Sequence, residues 1–237
     1  MPYHGVDAMT PTRALPDPLP IFPLTGTLLL PANWLPLNIF ESRYLAMVED
    51  AMAEGKTIGM IQPLTARQDN APPYEVLLEE IEDHPSLYRV GCAGRIEKCE
   101  RQPDGRFLIL LRGVSRFRVA TELPLHRGYR RVVPDFSGFA RDEAEGPVQL
   151  DPRRLLSAVR AFAGRQGLEF DDEVLNALPG ISLLNGLSVA LPFRSDEKQA
   201  LLEAETPAER EEMLLTLLGM GLDLVDPEDR YVPPILN

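Results

Sequence analysis

Between Leu35 and Gln62 the sequence writes an extended run, a helix and a second extended run with almost no chain left over to separate them. LPLNIF reads as a strand end. Asn38 is placed to cap the following helix, with Glu41 three residues on to close a capping box. Tyr44, Leu45, Val48, Ala51 and Met52 then recur at the spacing of one apolar helix face, while Arg43, Glu49, Asp50 and Glu54 keep largely off it. Gly55 offers the left-handed stop, and Thr57 to Gln62 reads as a strand. Connections this short force the three pieces to pack on one another.

The next strong pattern is period two. From Tyr88 to Arg101, Tyr88, Val90, Cys92, Gly94 and Ile96 alternate with Arg89, Arg95, Glu97 and Arg101, so Cys92 is expected inward and Cys99 outward. Pro103-Asp104-Gly105 supplies a hairpin turn. The chain returns with Phe107, Ile109, Leu111, Phe117 and Val119 on one face and Arg112, Arg116 and Arg118 on the other, and Arg130 to Val133 is a further strand candidate.

Before these elements, residues 1–18 carry four prolines and little apolar periodicity, and read as an extended arm. LPIFPL and TLLL are short extended runs punctuated by prolines, suited to strand ends and edges. The acidic stretch from Pro63 to Pro85, with Glu75, Glu79, Glu80, Glu82 and Asp83, lacks the spacing of a calcium loop and reads as a surface excursion.

IFPLTGTLLLP followed by LPLNIFESRYLAMVEDAM, and VGCAGRI paired with DGRFLILLRGVSRFR, resemble the N-terminal substrate-binding domain of ATP-dependent Lon proteases. That resemblance implies a β-rich, PUA-like first domain over residues 19–135 with one internal helix. It extends to VALPFRSDEKQALLEAETPAEREEMLL, similar to the helical half of the same region.

Residues 136–148 are small, charged and Gly-containing, as a linker would be. Beyond them the period becomes helical. Asp151-Pro152 is an N-cap with Pro at the first helical position, Asp171 to Glu173 open another helix, Ser195 caps one running to Glu203, and Thr206-Pro207-Ala208-Glu209 is a capping box. The expected fold is therefore α+β, a β-rich domain followed by an α-helical bundle over residues 149–222 and a tail over 223–237.

The net charge of -12 resides mostly in the second half: residues 1–140 hold 15 Lys and Arg against 17 Asp and Glu, the remainder 9 against 19. Such a balance argues against wholesale attraction to nucleic acid or anionic membrane. Two cysteines are too few for a disulfide framework, and no apolar run reaches the roughly 18 residues of a membrane span, so a cytoplasmic protein is expected.

Candidate chemistry is sparse. Gly55-Lys56-Thr57 echoes the end of a phosphate loop but follows a helix instead of preceding one, and Asp50 stands where the first glycine belongs. Ser195 and Lys198 match the S-x-x-K of some hydrolases without its partner motifs, and Ser195 has a structural task as a cap. His4, His84 and His126 lack metal-ligand spacing, and Cys92 has no neighbouring His. No catalytic residue, cofactor or metal is assigned, and neither an ATPase P-loop nor the proteolytic domain of Lon is matched.

What the resemblance implies is recognition of unfolded or client polypeptides, with a protease or chaperone as a further partner. Trp34, Phe136 and Phe139 are the candidate peptide-binding residues. The alternative is RNA binding: residues 89–131 hold 11 Lys and Arg against 4 Asp and Glu, with Arg112, Arg116 and Arg118 in line to track phosphates. Against it, Phe107 and Phe117 fall on the opposite face, and the arginines have solvation or pairing with the acidic helices as ordinary roles.

Overall fold

A computed structural model describes residues 15–64, 85–142, 150–168 and 170–220. The remaining residues, including most of the acidic excursion, His4, His84 and the tail, lie outside the described residues. β1 (Leu19–Pro23) is followed by β2 (Trp34–Ile39), α1 (Ser42–Glu54), β3 (Thr57–Ile61), β4 (Val90–Arg101), β5 (Phe107–His126) and β6 (Tyr129–Asp135). A 3-10 segment, Ser137–Asp142, leads to α2 (Pro152–Gln166), α3 (Asp172–Ala177), α4 (Gly180–Ala190), α5 (Ser195–Glu203) and α6 (Pro207–Gly219).

The long strand β5 organises the sheet. Its C-terminal half pairs with β6, β6 with β1, β1 in parallel with β3, β3 with β4, and β4 returns to β5, which closes a five-stranded barrel. Leu19, Ile21, Ile61, Ala93, Phe117 and Val132 fill it. Phe117 fits because Gly59 and Gly91 face it: a Cβ would stand 2.9 Å from its ring at Gly59 and 2.7 Å at Gly91. The N-terminal half of β5 leaves the barrel and carries β2 as an edge strand, making a three-stranded extension with β4.

Two start and stop signals act elsewhere than expected. Asn38 lies within β2, and the residue preceding α1 is Glu41, whose side chain makes no capping bond and instead pairs with Arg43. The hydrophobic alternation of Leu35, Leu37 and Ile39, all buried, keeps Asn38 in the strand. At the other end Gly55 is not left-handed; Lys56 takes that conformation at φ 57°, and its N–H reaches the Ala51 carbonyl. Cys99 is half-buried, not outward, because the bulge between Ile96 and Lys98 inserts Glu97 and reverses the alternation beyond it. Cys92 is fully buried as expected.

The helices begin largely where their caps were read. Asp151 accepts from the Arg154 N–H, and Thr206 from the Glu209 N–H, although the Glu209 carboxylate returns to the N–H of Glu205 instead of Thr206. Ser195 is the first residue of α5 and Arg194 the cap position, its N–H held by Glu197. These helices do not enclose a core of their own. One buried cluster runs from Leu28, Leu30, Leu35 and Met47 through Phe139 to Phe162, Leu184, Leu201 and Leu214, so sheet and helices share it.

Buried polar bonds fix the seam. The Gln62 amide donates to the Ser195 carbonyl at 3.0 Å and accepts from the Gly26 N–H, Gln199 donates to the Val90 carbonyl, and Asn185 to that of Pro31. Each satisfies a backbone group that burial would otherwise leave bare.

Candidate functional site

The three-stranded extension has two unlike faces because its register aligns like with like. Ile96, Leu111 and Leu35 stand in one cross-strand row and Cys99, Ile109 and Leu37 in another, all toward the core. The alternate rows face outward: Arg95, Arg112 and Trp34; Lys98, Leu110 and Pro36; Glu100, Leu108 and Asn38. Trp34 is 50% exposed, and Phe40, just beyond the strand, is 65% exposed. Leu108, Leu110 and Pro36 between them are half-buried.

β2 pairs with β5 on one side and, among the described residues, with no strand on the other. An edge of this kind presents backbone donors and acceptors in an extended row, the template on which another extended chain adds as a strand. Pro36 removes one donor from the strand. The loop before β2 is anchored: the Ala32 N–H bonds the Gly113 carbonyl, and the Gly113 N–H the Asn33 carbonyl at 2.8 Å. Trp34 thus projects from a fixed base.

The other aromatic candidates stand apart from this face. Phe139 is buried, with the Arg116 guanidinium 4.8 Å from its ring centre, and Phe136 is half-buried, edge-on to Phe117 at 6.2 Å. Phe139 therefore has a packing role and offers no surface to a ligand. Trp34 is the exposed member of the three.

The arginines expected in one line are dispersed as well. Arg112 and Arg118 are exposed, but Arg116 is 3% exposed and points into the seam, where it bonds Asp142 and the carbonyls of Leu202, Ala204 and Glu205. A phosphate track through all three does not exist. The bulge between Ala93 and Gly94, with Val114 extra on β5, is what turns Arg116 away from the face that Arg112 shares.

Ser195 and Lys198 share no hydrogen bond. The buried Lys198 amine donates to the Gly26 carbonyl at 2.9 Å, and burial lowers its pKa. The Cys92 thiol is pushed up by burial first and by Asp142 second, which holds it protonated. His126 faces Asp50 at 3.6 Å on the tip of the β5–β6 hairpin.

A family model of the substrate-binding domain of the ATP-dependent protease La (LON) matches residues 18–219. The chain belongs to the Lon substrate-binding domain family. It is 25% identical over 232 residues to the Lon protease of Dictyoglomus thermophilum, covering 95% of this chain and 27% of that one. With Lon protease 1 of Syntrophobacter fumaroxidans it shares 26% identity over 217 residues, 90% of this chain and 25% of the relative. The chain thus spans about a quarter of the length of these Lon proteases. Among solved structures, the Lon N-terminal domain protein from Xanthomonas campestris superposes with a TM-score of 0.56 at 25% identity, over 84% of this chain and 97% of that one. The N-terminal domain of the Mycobacterium avium complex Lon protease shares the fold, with a TM-score of 0.56 at 16% identity over 85% of this chain and 97% of that one.

Of the three aromatics singled out in the sequence, Trp34 lies on the open face of this sheet; its neighbours there were not among them. Phe40 was within reach, since it continues the even-numbered alternation of Trp34, Pro36 and Asn38. Arg95 and the Leu108–Leu110 pair were not, because cross-strand register depends on where bulges fall.

Proposed function

We propose that this Lon-type domain holds extended, apolar stretches of unfolded polypeptide on the open sheet face, by strand addition to β2, and breaks no bond in them. The observation that carries the reading is the edge strand β2, unpaired on one side among the described residues and flanked by exposed Trp34 and Phe40. Membership of a substrate-binding family supports polypeptide as the ligand. A peptide laid along β2 gains backbone hydrogen bonds whatever its sequence, and its alternate side chains rest beside Trp34, Pro36 and Phe40, with Leu110 and Leu108 of β5 one strand behind them. Affinity then depends on exposed apolar chain, which a folded protein does not offer. Delivery of the held client to an ATP-dependent protease or a chaperone in the cytoplasm completes the proposal.

The test is retention of a permanently unfolded client, such as a reduced and alkylated protein, on the immobilised full chain without ATP. Retention of the unfolded form over its native form, weakened about tenfold or more by joint Trp34→Ala and Phe40→Ser substitution as expected for aromatic anchors, supports the reading. Equal indifference to both forms contradicts it.

A further inference from the structure

β2 carries no charged residue, so a common guard of an exposed sheet edge, a lysine or other charge on the strand, is missing from WLPLNI. Its ladder with β5 also fixes which backbone groups stay free. The Gly113 N–H bonds the Asn33 carbonyl, and antiparallel ladders alternate, so Leu35, Leu37 and Ile39 turn their backbone groups to β5. Trp34, Pro36 and Asn38 turn theirs to the open edge, and Phe40 continues the series. Pro36 thus stands where its missing N–H costs the pairing with β5 nothing.

The free positions are arranged about a centre. Trp34 and Phe40 stand three residues either side of Leu37, and Pro36 and Asn38 one residue either side. A second copy laid antiparallel, with the two-fold axis at Leu37, sets Trp34 beside Phe40 of that copy and Pro36 beside its Asn38, each twice. Both bonds of every Trp34–Phe40 pair then form, and the Pro36 carbonyl still accepts from the facing Asn38 N–H. An axis at Pro36 would put two missing donors opposite each other and leave Phe40 without an aromatic partner. An axis at Asn38 would leave Trp34 without one. The register about Leu37 therefore covers both exposed aromatics, and aromatic cross-strand neighbours are favourable pairs.

We propose that β2 joins β2 of a second copy antiparallel about Leu37, so that the chain stores its client edge in a reversible dimer, which opens when unfolded polypeptide displaces the second copy. The gating rests on the strand-addition reading above; the pairing of copies does not. The four aromatics of the seam, half to two-thirds exposed in the single chain, offer roughly 400–500 Å² of the ~1,200 Å² at which stable interfaces begin. Such a seam is weak, with a dissociation constant on the order of tens of micromolar or above, and leaves the edge open in dilute chain.

Sedimentation equilibrium of the full chain from about 1 µM to about 1 mM brackets that affinity, and the emission of Trp34, the single tryptophan, reports on the seam. A dimer that forms with rising concentration and shifts Trp34 emission to the blue is expected. Trp34→Lys and Phe40→Glu should each weaken it about tenfold or more. An equimolar mixture of the two variants should recover association, because one Lys–Glu pair and one Trp–Phe pair then meet across the axis. A reduced and alkylated client should return the wild-type dimer to single chains bound to client. A chain that stays monomeric while the client still binds overturns the pairing and leaves the client reading standing. A dimer that the mixed variants do not restore lies on another surface, which also overturns it. A dimer that persists although the client binds dilute chain overturns the gating. Trp34 emission indifferent to both concentration and client overturns both readings at this edge.

Discussion

Arg116 on β5 grips Asp142 with both edges of its fork: Nε donates to Oδ2 at 2.9 Å and Nη2 to Oδ1 at 2.8 Å, while its own backbone N–H also reaches Oδ2. The remaining donors meet the carbonyls of Leu202, Ala204 and Glu205, where α5 ends. The carbonyls of Leu202 and Ala204 belong to the last turn and cap of the helix, where the backbone leaves acceptors unpaired and the dipole is negative, so a buried cation there is doubly compensated. Barrel, 3-10 segment and helices are joined at this one side chain.

Removing the guanidinium strands both the carboxylate and the carbonyls. Arg116→Ala is expected to destabilise the fold by about 3–5 kcal/mol, the cost of breaking a buried pair by deleting one partner. Asp142→Asn keeps an acceptor and should cost less, about 1–3 kcal/mol. Denaturant unfolding midpoints check both, and equal effects of the two changes would contradict the geometry.

Gly113 links packing to the binding face. A Cβ there would stand 2.0 Å from the Leu30 carbonyl oxygen, and the same glycine anchors the loop that presents Trp34. Gly113→Ala should therefore cost about 3 kcal/mol or more and shift Trp34 emission. At the hairpin turn Gly105 has φ 91° with nothing within 4 Å of its Cβ position, so Gly105→Ala should cost only about 1–2 kcal/mol and leave the emission unchanged.

Much of this architecture was legible, and the exceptions share a cause. The hairpin from Val90 to Val119 and the caps Asp151 and Thr206 follow from local pattern, because turn and cap chemistry act within four residues, whereas the run of β5 on to His126 does not. Asn38 was misplaced because a good capping residue also tolerates an exposed strand position when its neighbours Leu37 and Ile39 are buried. Cys99 and Arg116 were misplaced because a bulge costs one residue and leaves no composition signal, yet reverses every side chain beyond it. The helices read as a separate bundle because their own periodicity is complete; that they share an apolar core with the sheet is a long-range packing fact, and the seam bonds of Gln62, Gln199 and Asn185 come from polar residues no hydrophobic pattern reports. Of the candidate site, Trp34 stands out in the sequence as an aromatic in a Pro-flanked loop, whereas the row it forms with Arg95 and Arg112 depends on the register.

Alkaline pH gives a separate check. Tyr129 donates its hydroxyl proton to Asp50 at 2.9 Å, and burial, then that carboxylate, raise its pKa above the usual 10.0. A raised folded-state pKa means the native state keeps its proton after the unfolded state has lost it. The stabilisation is full below pH 10.0, the ordinary phenol value, and is lost as pH rises beyond it. Tyr129→Phe should flatten the fall in stability above that pH relative to wild type, as read from urea midpoints across the range. An unchanged slope would contradict the Asp50 contact.

The two thiols should separate by reactivity. Cys92 is fully buried and Cys99 half-buried at the bulged part of β4, with burial raising both pKa values. Alkylation of the native protein, followed by mass spectrometry, is expected to modify Cys99 first and Cys92 only with global unfolding. Faster labelling of Cys92 would show that the barrel wall opens locally.

The most direct measurement is backbone amide exchange across residues 15–64 and 85–142 with and without a saturating unfolded client. Strand addition predicts that slowing of exchange concentrates in β2, with Trp34 and Phe40 at its limits, while the amides of β3 within the barrel stay as they were. Protection confined to the shallow groove of α6 lined by Ala208, Met213 and Thr216, or absent from β2 while the client is demonstrably bound, would contradict the account.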